Sequence, residues 1–225
     1  MQFSPSNPIR DTIRSGMKLH TFNGAPNPRR VHIFLREKKI EIPFAQVDIR
    51  KGESRAPEFR ERVNVMGGLP VLELDDGSHI AESIAICRYL EALYPEPALF
   101  GGDPKEQAFV EMWTRRIELN FMVPVGMVWV HGSPLTRAVV KHQIPEMAEL
   151  NRGVVQSYFD FLDRHFAEHE YLANDAFSIA DITAFCTLEF AAKLNDLPHA
   201  SEQKHLSRWA ESLSSRPSIA REPQF

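Results

Sequence analysis

Chemistry in this chain has to come from a few polar groups set at the joints of otherwise apolar segments. Glu82-Ser83 stands where an alternating, strand-like stretch hands over to an apolar run with helical spacing. A serine there offers a hydroxyl and a backbone N–H at the positive end of a helix, a seat for a carboxylate, and Glu82 beside it can receive an ammonium group. Helix capping alone explains many serines in such places; the two roles coexist. Arg50, Lys51 and Arg55, in a polar stretch of their own, can hold a second anionic group or simply form a solvated surface. Cys87 and Cys186 lie on apolar faces of expected helices and read as inert core residues rather than nucleophiles. The nine histidines show no metal-ligand spacing. His165 and His169 are an i, i+4 pair without a third ligand, so no metal is expected.

The elements that must position these groups follow from changes of period. Met17–Phe22 reads as a short strand. Asn27 followed by Pro28 reads as an N-cap and first-turn pair for a helix to about Lys39, with Val31, Phe34 and Leu35 inward. Ile42–Ile49 is a second expected strand, and a short helix starts near Pro57. Pro70–Leu74 and Ser78–Ile80 flank Asp75-Asp76-Gly77, a hairpin signal, and a helix follows from about Glu82 to Leu93. The order β-α-β-α-β-β-α is thioredoxin-like with an antiparallel edge. After a linker rich in proline and glycine almost everything is helical. Asp103, Pro104 and Glu106 form a capped start, with Pro124 expected to kink or end that run. Pro145–Phe166 is a long amphipathic helix, Ser178-Ile-Ala-Asp181 a capping box that opens a helix to about Leu194, and Leu206, Trp209 and Leu213 mark a last one. The fold class is therefore an α/β domain followed by an all-α one. The boundaries are a disordered extension over 1–16, a thioredoxin-like domain over 17–94, a linker over 95–102 and a helical-bundle domain over 103–225.

Composition narrows the functions. With 225 residues, 43% of them hydrophobic, the chain can build real cores. Twenty-six basic residues against thirty acidic ones leave a net charge of −4, which argues against a nucleic-acid or membrane-surface binder. Phe121–Val130, interrupted by Pro124, is too short to span a bilayer. Two cysteines do not make a disulfide scaffold and fit a reducing compartment, so cytoplasm is the expected setting.

Taken together, Gly68-Leu69-Pro70-Val71-Leu72-Glu73-Leu74-Asp75-Asp76-Gly77, Ile80-Ala81-Glu82-Ser83-Ile84-Ala85-Ile86 and the Ser178–Asp181 box, in this order, resemble the soluble glutathione transferases. With Pro26–Val31, Lys51-Gly52-Glu53 and Pro57-Glu58-Phe59, the resemblance runs from about Met17 to Pro217. It implies the glutathione transferase fold, glutathione as co-substrate rather than a cofactor, and a homodimer. Leu69-Pro70 resembles that family's cis-proline step, which turns the backbone of Leu69 outward to pair with the ligand in strand fashion; an ordinary trans proline opening an edge strand is the alternative. Glu82 and Ser83 then hold the γ-glutamyl end, and Lys51 and Arg55 are candidates for the glycyl carboxylate, although Ser54 stands where relatives often have a histidine.

The position expected to activate the thiol is a gap. Familiar classes use Tyr, Ser or Cys after the first strand, and none occurs between Phe22 and Arg30, where Ala25 takes the serine position. The chain resembles a microbial branch of the family that lacks this side chain. Thiolate stabilisation is then expected from Asn27, from free N–H groups at the helix start over Pro28–Arg30, or from water held near His131 and Ser133. A plain N-cap for Asn27 and a surface-loop histidine for His131 are the alternatives. Trp113, Arg116 and Phe121, with Met122, Met127 and Trp129, are candidates for an apolar second-substrate pocket between the domains, or else core. Three functions remain open: conjugation of glutathione to small hydrophobic electrophiles, with glutathione-dependent peroxidase activity as a companion; a dedicated isomerase or dehalogenase, against which Ala25-Pro26-Asn27 counts; and a non-catalytic glutathione-binding or interaction module.

Overall fold

The computed structural model describes residues 16–220, so the expected disordered extension lies, Gly16 apart, outside the described residues. The chain divides into two compact units, one running to Pro97 and the other starting at Ala98. In the first unit, strands β1 (Lys18–Thr21), β2 (Phe44–Gln46), β3 (Val71–Glu73) and β4 (His79–Ala81) form one sheet in the order β2-β1-β3-β4. β1 and β2 are parallel, and β3 is antiparallel to both of its neighbours. Helices α1 (Pro26–Glu37), α2 (Pro57–Arg62) and α3 (Ser83–Leu93) complete the unit.

Register explains which face is which. Leu19 is opposite Leu72 and Thr21 opposite Gln46, so with a period of two these residues share one face. Leu19, Thr21 and Leu72 are fully buried. Nε2 of His32 in α1 lies 2.8 Å from Oγ1 of Thr21, and the His32 ring stacks on Phe44 at 4.7 Å, which seats α1 on that face. The β3–β4 hairpin closes through Gly77 at φ +81°, a conformation that suits glycine, as the sequence expects. The second strand is shorter than expected: Asp48 accepts a hydrogen bond from the N–H of Arg50 and turns the chain into a 3-10 turn.

The expected cap of α1 fails for a clear reason, and of the kink or end expected at Pro124 the end does not occur. The cap of α1 is Ala25, and Pro26 rather than Pro28 is the first helical residue, so Asn27 is already inside the helix and is not its N-cap. Pro124 does not end its helix either. Between α4 (Pro104–Ile117) and α5 (Val123–Gly132) the chain makes a π-turn over Glu118–Met122. The wider turn passes the proline without interrupting the helical run.

The second unit continues with α6 (Pro145–Glu168), α7 (Ile179–Leu194), α8 (Lys204–Ser214) and the short α9 (Pro217–Ala220). Its core joins Phe121, Phe159, Leu162 and Phe166 to Ile182 and Trp209, with the Phe166 and Trp209 rings stacked at 4.6 Å. Asp103 accepts from the N–H groups of Lys105 and Glu106, and Glu106 accepts from that of Gly102. At the start of α7, fully buried Asp181 accepts from the N–H groups of Leu172 and Ser178 and from the Ser178 hydroxyl. No helix among the described residues is long and apolar enough to cross a membrane.

Candidate active site

Helix α3 begins at Ser83, and Glu82 before it has φ 68° and ψ 119°. Holding a non-glycine residue there costs about 1–3 kcal/mol, and such residues cluster where function requires a fixed backbone. The conformation leaves Glu82 exposed, its carboxylate making no capping bond, while Ser83 turns inward with 5% exposure. The Ser83 oxygen accepts a hydrogen bond of 3.1 Å from the Arg30 guanidinium, which is itself 1% exposed. A hydroxyl that accepts from an arginine has its own proton left to donate. The start of α3 thus combines backbone N–H groups, a hydroxyl proton and a buried positive charge, all of which favour a carboxylate.

The Leu69–Pro70 bond is cis, in agreement with the expectation from the sequence, and leads directly into β3. Asn64 fixes the approach to it by donating to the Gly68 carbonyl at 3.0 Å and accepting from the N–H of Met66 at 3.1 Å. Leu69, Pro70, Glu82 and Ser83 therefore sit at the ends of β3 and β4 in one unit. Lys51 and Arg55 stay exposed; Lys51 reaches Asp48 at 3.9 Å, and Arg50 pairs with Asp48 at 3.1 Å. Ser54 between them is buried.

The start of α1 corrects the reading of the thiolate site. The first four N–H positions of a helix lack intrahelical partners. Here they are Ala25 to Pro28, and two of the four are prolines, so only Ala25 and Asn27 carry a hydrogen. The N–H of Arg29 is spent on the Ala25 carbonyl at 3.2 Å, so Pro28–Arg30 supplies no open donors. Asn27 Oδ1 is buried and without a hydrogen-bond partner, which leaves that amide uncommitted in the first turn.

His131 belongs to the second unit and lies within α5, not beyond it; its Nδ1 accepts from the N–H of Ile144 at 3.3 Å, which puts the proton of a neutral ring on Nε2. Of the three pocket candidates, Phe121 is fully buried between Tyr158 and Phe159, at 5.3 and 5.6 Å, and has no surface to give a ligand. Trp113 is buried as well, against Phe161 and His165. Arg116 is exposed, its guanidinium 5.0 Å from the centre of the Trp113 ring. Both aromatics follow helical spacing because they are core. Cys87 and Cys186 are fully buried and form no disulfide.

The sequence reading missed two residues. Arg30 stands one turn before Phe34 on a buried face, and a charge in register with an inward phenylalanine was the available signal. Tyr158 has a buried hydroxyl with no hydrogen-bond partner, on a groove of about 410 Å³ that it shares with Leu119, Asn120, Pro124, Val154 and Ser157. Burial pushes its phenol up to about 12 against the pull of Arg116, so it stays protonated.

A thioredoxin-like sheet with an anion seat at its last helix, followed by a helical unit, defines the soluble glutathione transferase class, and comparison with known proteins agrees. The model of the glutathione S-transferase N-terminal domain matches residues 25–93, and that of the C-terminal domain matches residues 128–217. Glutathione S-transferase 2 of Saccharomyces cerevisiae is 35% identical over 212 residues, which is 93% of this chain and 90% of the relative. A glutathione S-transferase domain-containing protein of Marinobacter aquaeolei superposes with a TM-score of 0.85 at 38% identity, covering 90% of this chain and 99% of that one. Gtt2 of Saccharomyces cerevisiae gives 0.86 at 35% identity, covering 91% and 99%. The chain belongs to the glutathione S-transferase family.

Proposed function

We propose that this glutathione transferase conjugates glutathione to small hydrophobic electrophiles in a cytoplasmic, detoxifying role, and that it activates the thiol without a tyrosine, serine or cysteine. The observation that carries the reading is the seat at α3, where buried Arg30 backs the Ser83 hydroxyl beside an exposed Glu82. Ser83 takes the γ-glutamyl carboxylate, Glu82 the neighbouring ammonium, the Leu69 backbone the cysteinyl unit, and Lys51 or Arg55 the glycyl carboxylate. A free thiol titrates near 8.5, so conjugation near neutral pH needs the anion stabilised. Asn27 supports that role through one open backbone N–H in the first turn of α1 and through its side-chain Nδ2–H donors, not through the buried Oδ1, and His131 can hold a water through Nε2–H. Arg116 is the exposed member of the second-substrate candidates.

Pairing as a homodimer belongs to the same reading. Val65 and Met66 stand 77% and 74% exposed on the first unit, and Leu119, 60% exposed, borders the apolar groove of the second. A two-fold pair would let each copy cover what the other exposes.

Turnover of a chloronitroaromatic substrate with glutathione tests the proposal, alongside the thiolate absorbance of bound glutathione followed against pH. Conjugation with a thiol pKa lowered from that of free glutathione is the expected result. Bound glutathione that titrates like the free tripeptide would leave a non-catalytic binding module as the function.

A further inference from the structure

The sheet face opposite α1 carries a cluster with no part in the site above. Register pairs Lys18 with Glu73 and Glu73 with His79, and His20 lies two residues along β1 from Lys18, hence on the same face. Three neighbouring strands thus bring two imidazoles and a carboxylate to one spot. Nε2 of His20 is 2.7 Å from Oε2 of Glu73, Nε2 of His79 is 3.8 Å from that same oxygen, and one ligand atom from each residue lies within 4.8 Å of the other two. The side chains are 12%, 28% and 21% exposed for His20, Glu73 and His79, so the spot is sheltered yet open to solvent. Phe59 of α2 packs its ring edge-to-face with His20 at 6.2 Å and walls one side.

We propose that His20, Glu73 and His79 form a binding site for a divalent cation of the zinc, cobalt and nickel class, with water completing the shell. Two imidazoles with one carboxylate suit these ions and not calcium or magnesium, which take oxygen ligands. Tetrahedral zinc with bonds of about 2.0–2.2 Å sets its ligand atoms roughly 3.4 Å apart. The His20–Glu73 separation of 2.7 Å has to open by about 0.7 Å and the His79–Glu73 separation of 3.8 Å to close by about 0.4 Å, and the two imidazoles, at most 4.8 Å apart, draw together as well, shifts that χ rotations of partly exposed side chains supply. Lys18 is the built-in competitor. Its Nζ lies 2.9 Å from the same Glu73 oxygen and its side chain is 40% exposed, so it balances the carboxylate when no metal is bound and can swing into solvent when one is. The sequence reading expected no metal because it looked for ligands close together in the chain, whereas the sheet assembles these from three strands. The unfolded chain does not hold the three together, so binding is coupled to folding and staples β1, β3 and β4.

Calorimetric titration of the full, tag-free, chelator-treated chain with Zn²⁺ alone tests this, with glutathione omitted because its thiol binds zinc. A single saturable equivalent is expected, accompanied by a rise in Tm. His20→Ala and His79→Ala should each weaken it about tenfold or more, Lys18→Gln should tighten it, and His169→Ala, which removes one member of the other histidine pair, should leave it alone. Co²⁺ should give the visible absorption of a low-symmetry site in the wild type and lose it in His79→Ala. Unchanged glutathione binding by His79→Ala shows that the variant is folded. No saturable binding, an isotherm indifferent to His20→Ala and His79→Ala, or one abolished by His169→Ala would overturn the proposal.

Discussion

The guanidinium of Arg30 donates to the hydroxyl oxygen of Ser83 across 3.1 Å, tying the second turn of α1 to the first residue of α3. Both groups are buried, so the charge acts in a medium that screens it poorly. The bond fixes which way the hydroxyl proton points and places positive charge behind it. Ser83→Ala should weaken glutathione binding about tenfold or more, the loss of a charge-assisted hydrogen bond of about 1.5–3 kcal/mol. Arg30→Lys, which keeps the charge and loses the fork, should weaken it as well. The double variant should lose less than the sum, because the two act as a unit. Calorimetric titration of the four proteins checks this, and additive losses would show that Arg30 only fills space.

Asn27 should contribute to the rate without deciding it. Removing a well-organised donor to an anion costs about 10²–10³ in kcat, but water can replace an amide in a first turn that is not sealed. Asn27→Ala should therefore lower kcat/KM by less than that, and raise the pKa of bound glutathione in step. Thiolate absorbance against pH reads the second effect. A lower rate with no change in the thiol pKa would mean that Asn27 positions the substrate rather than stabilising the sulfur.

Lys38 makes a clear stability prediction. Its ammonium pairs with Glu91 and donates to the carbonyls of Tyr94 at 2.8 Å and Pro95 at 3.1 Å, and to that of Pro97. The side chain is fully buried, and burial pushes its pKa down despite the pull of Glu91. Lys38→Met would take this donor from three carbonyls and the ammonium from beside Glu91, costing about 3–5 kcal/mol. Denaturant unfolding checks the figure; a change under 1 kcal/mol, the value of an exposed pair, would show that water replaces the ammonium.

Much of this was legible beforehand because it follows from local rules. Gly77 in its tight turn, Asp103 with Glu106, and Ser178 with Asp181 each declare themselves within a few residues. The Leu69-Pro70 and Glu82-Ser83 positions needed the family resemblance, since a lone proline or serine before an apolar run says little. The sequence could not decide between Pro26 and Pro28 as the first helical residue, because both suit the first turn; that choice moved Asn27 inside the helix and removed two donors. Trp113 and Phe121 misled because pocket and core residues share the same spacing. Arg30–Ser83 and the His20–Glu73–His79 cluster are tertiary: each exists only because separate elements meet, and no spacing along the chain encodes it.

Exposed apolar groups give the test of assembly. Val65 and Met66 follow α2 at 77% and 74% exposure, more than any other large hydrophobic side chain among the described residues. If they bury against a second copy, Met66→Asp would drive a charge into an apolar contact, and the penalty falls on association and not on the fold of one chain. Sedimentation of the wild type at micromolar concentration should give twice the chain mass, and the Met66→Asp protein should shift toward monomer with its circular dichroism unchanged. A wild-type monomer would remove the homodimer from the proposed function.

Asp181 gives the pH dependence. Burial raises its carboxyl pKa from 3.8 to about 6, against the hydrogen bonds from Leu172 and Ser178 that favour the anion. A folded-state pKa above the unfolded one means that the native state holds the proton more tightly. The stability from that proton is fully present below about pH 4 and is lost as pH rises through about 6. Above that, the chain keeps a buried anion held only by its hydrogen bonds. Asp181→Asn removes the titration and one acceptor together. It should therefore be less stable than the wild type at acid pH, where Asp181 is protonated, yet show no step of its own between about pH 4 and 6. Denaturant midpoints at half-unit intervals of pH, wild type against variant, read the difference directly. If the wild type instead shows no loss relative to Asp181→Asn between about pH 4 and 6, and gains stability as pH rises toward about 4, the hydrogen bonds outweigh burial and the folded pKa lies below the unfolded 3.8.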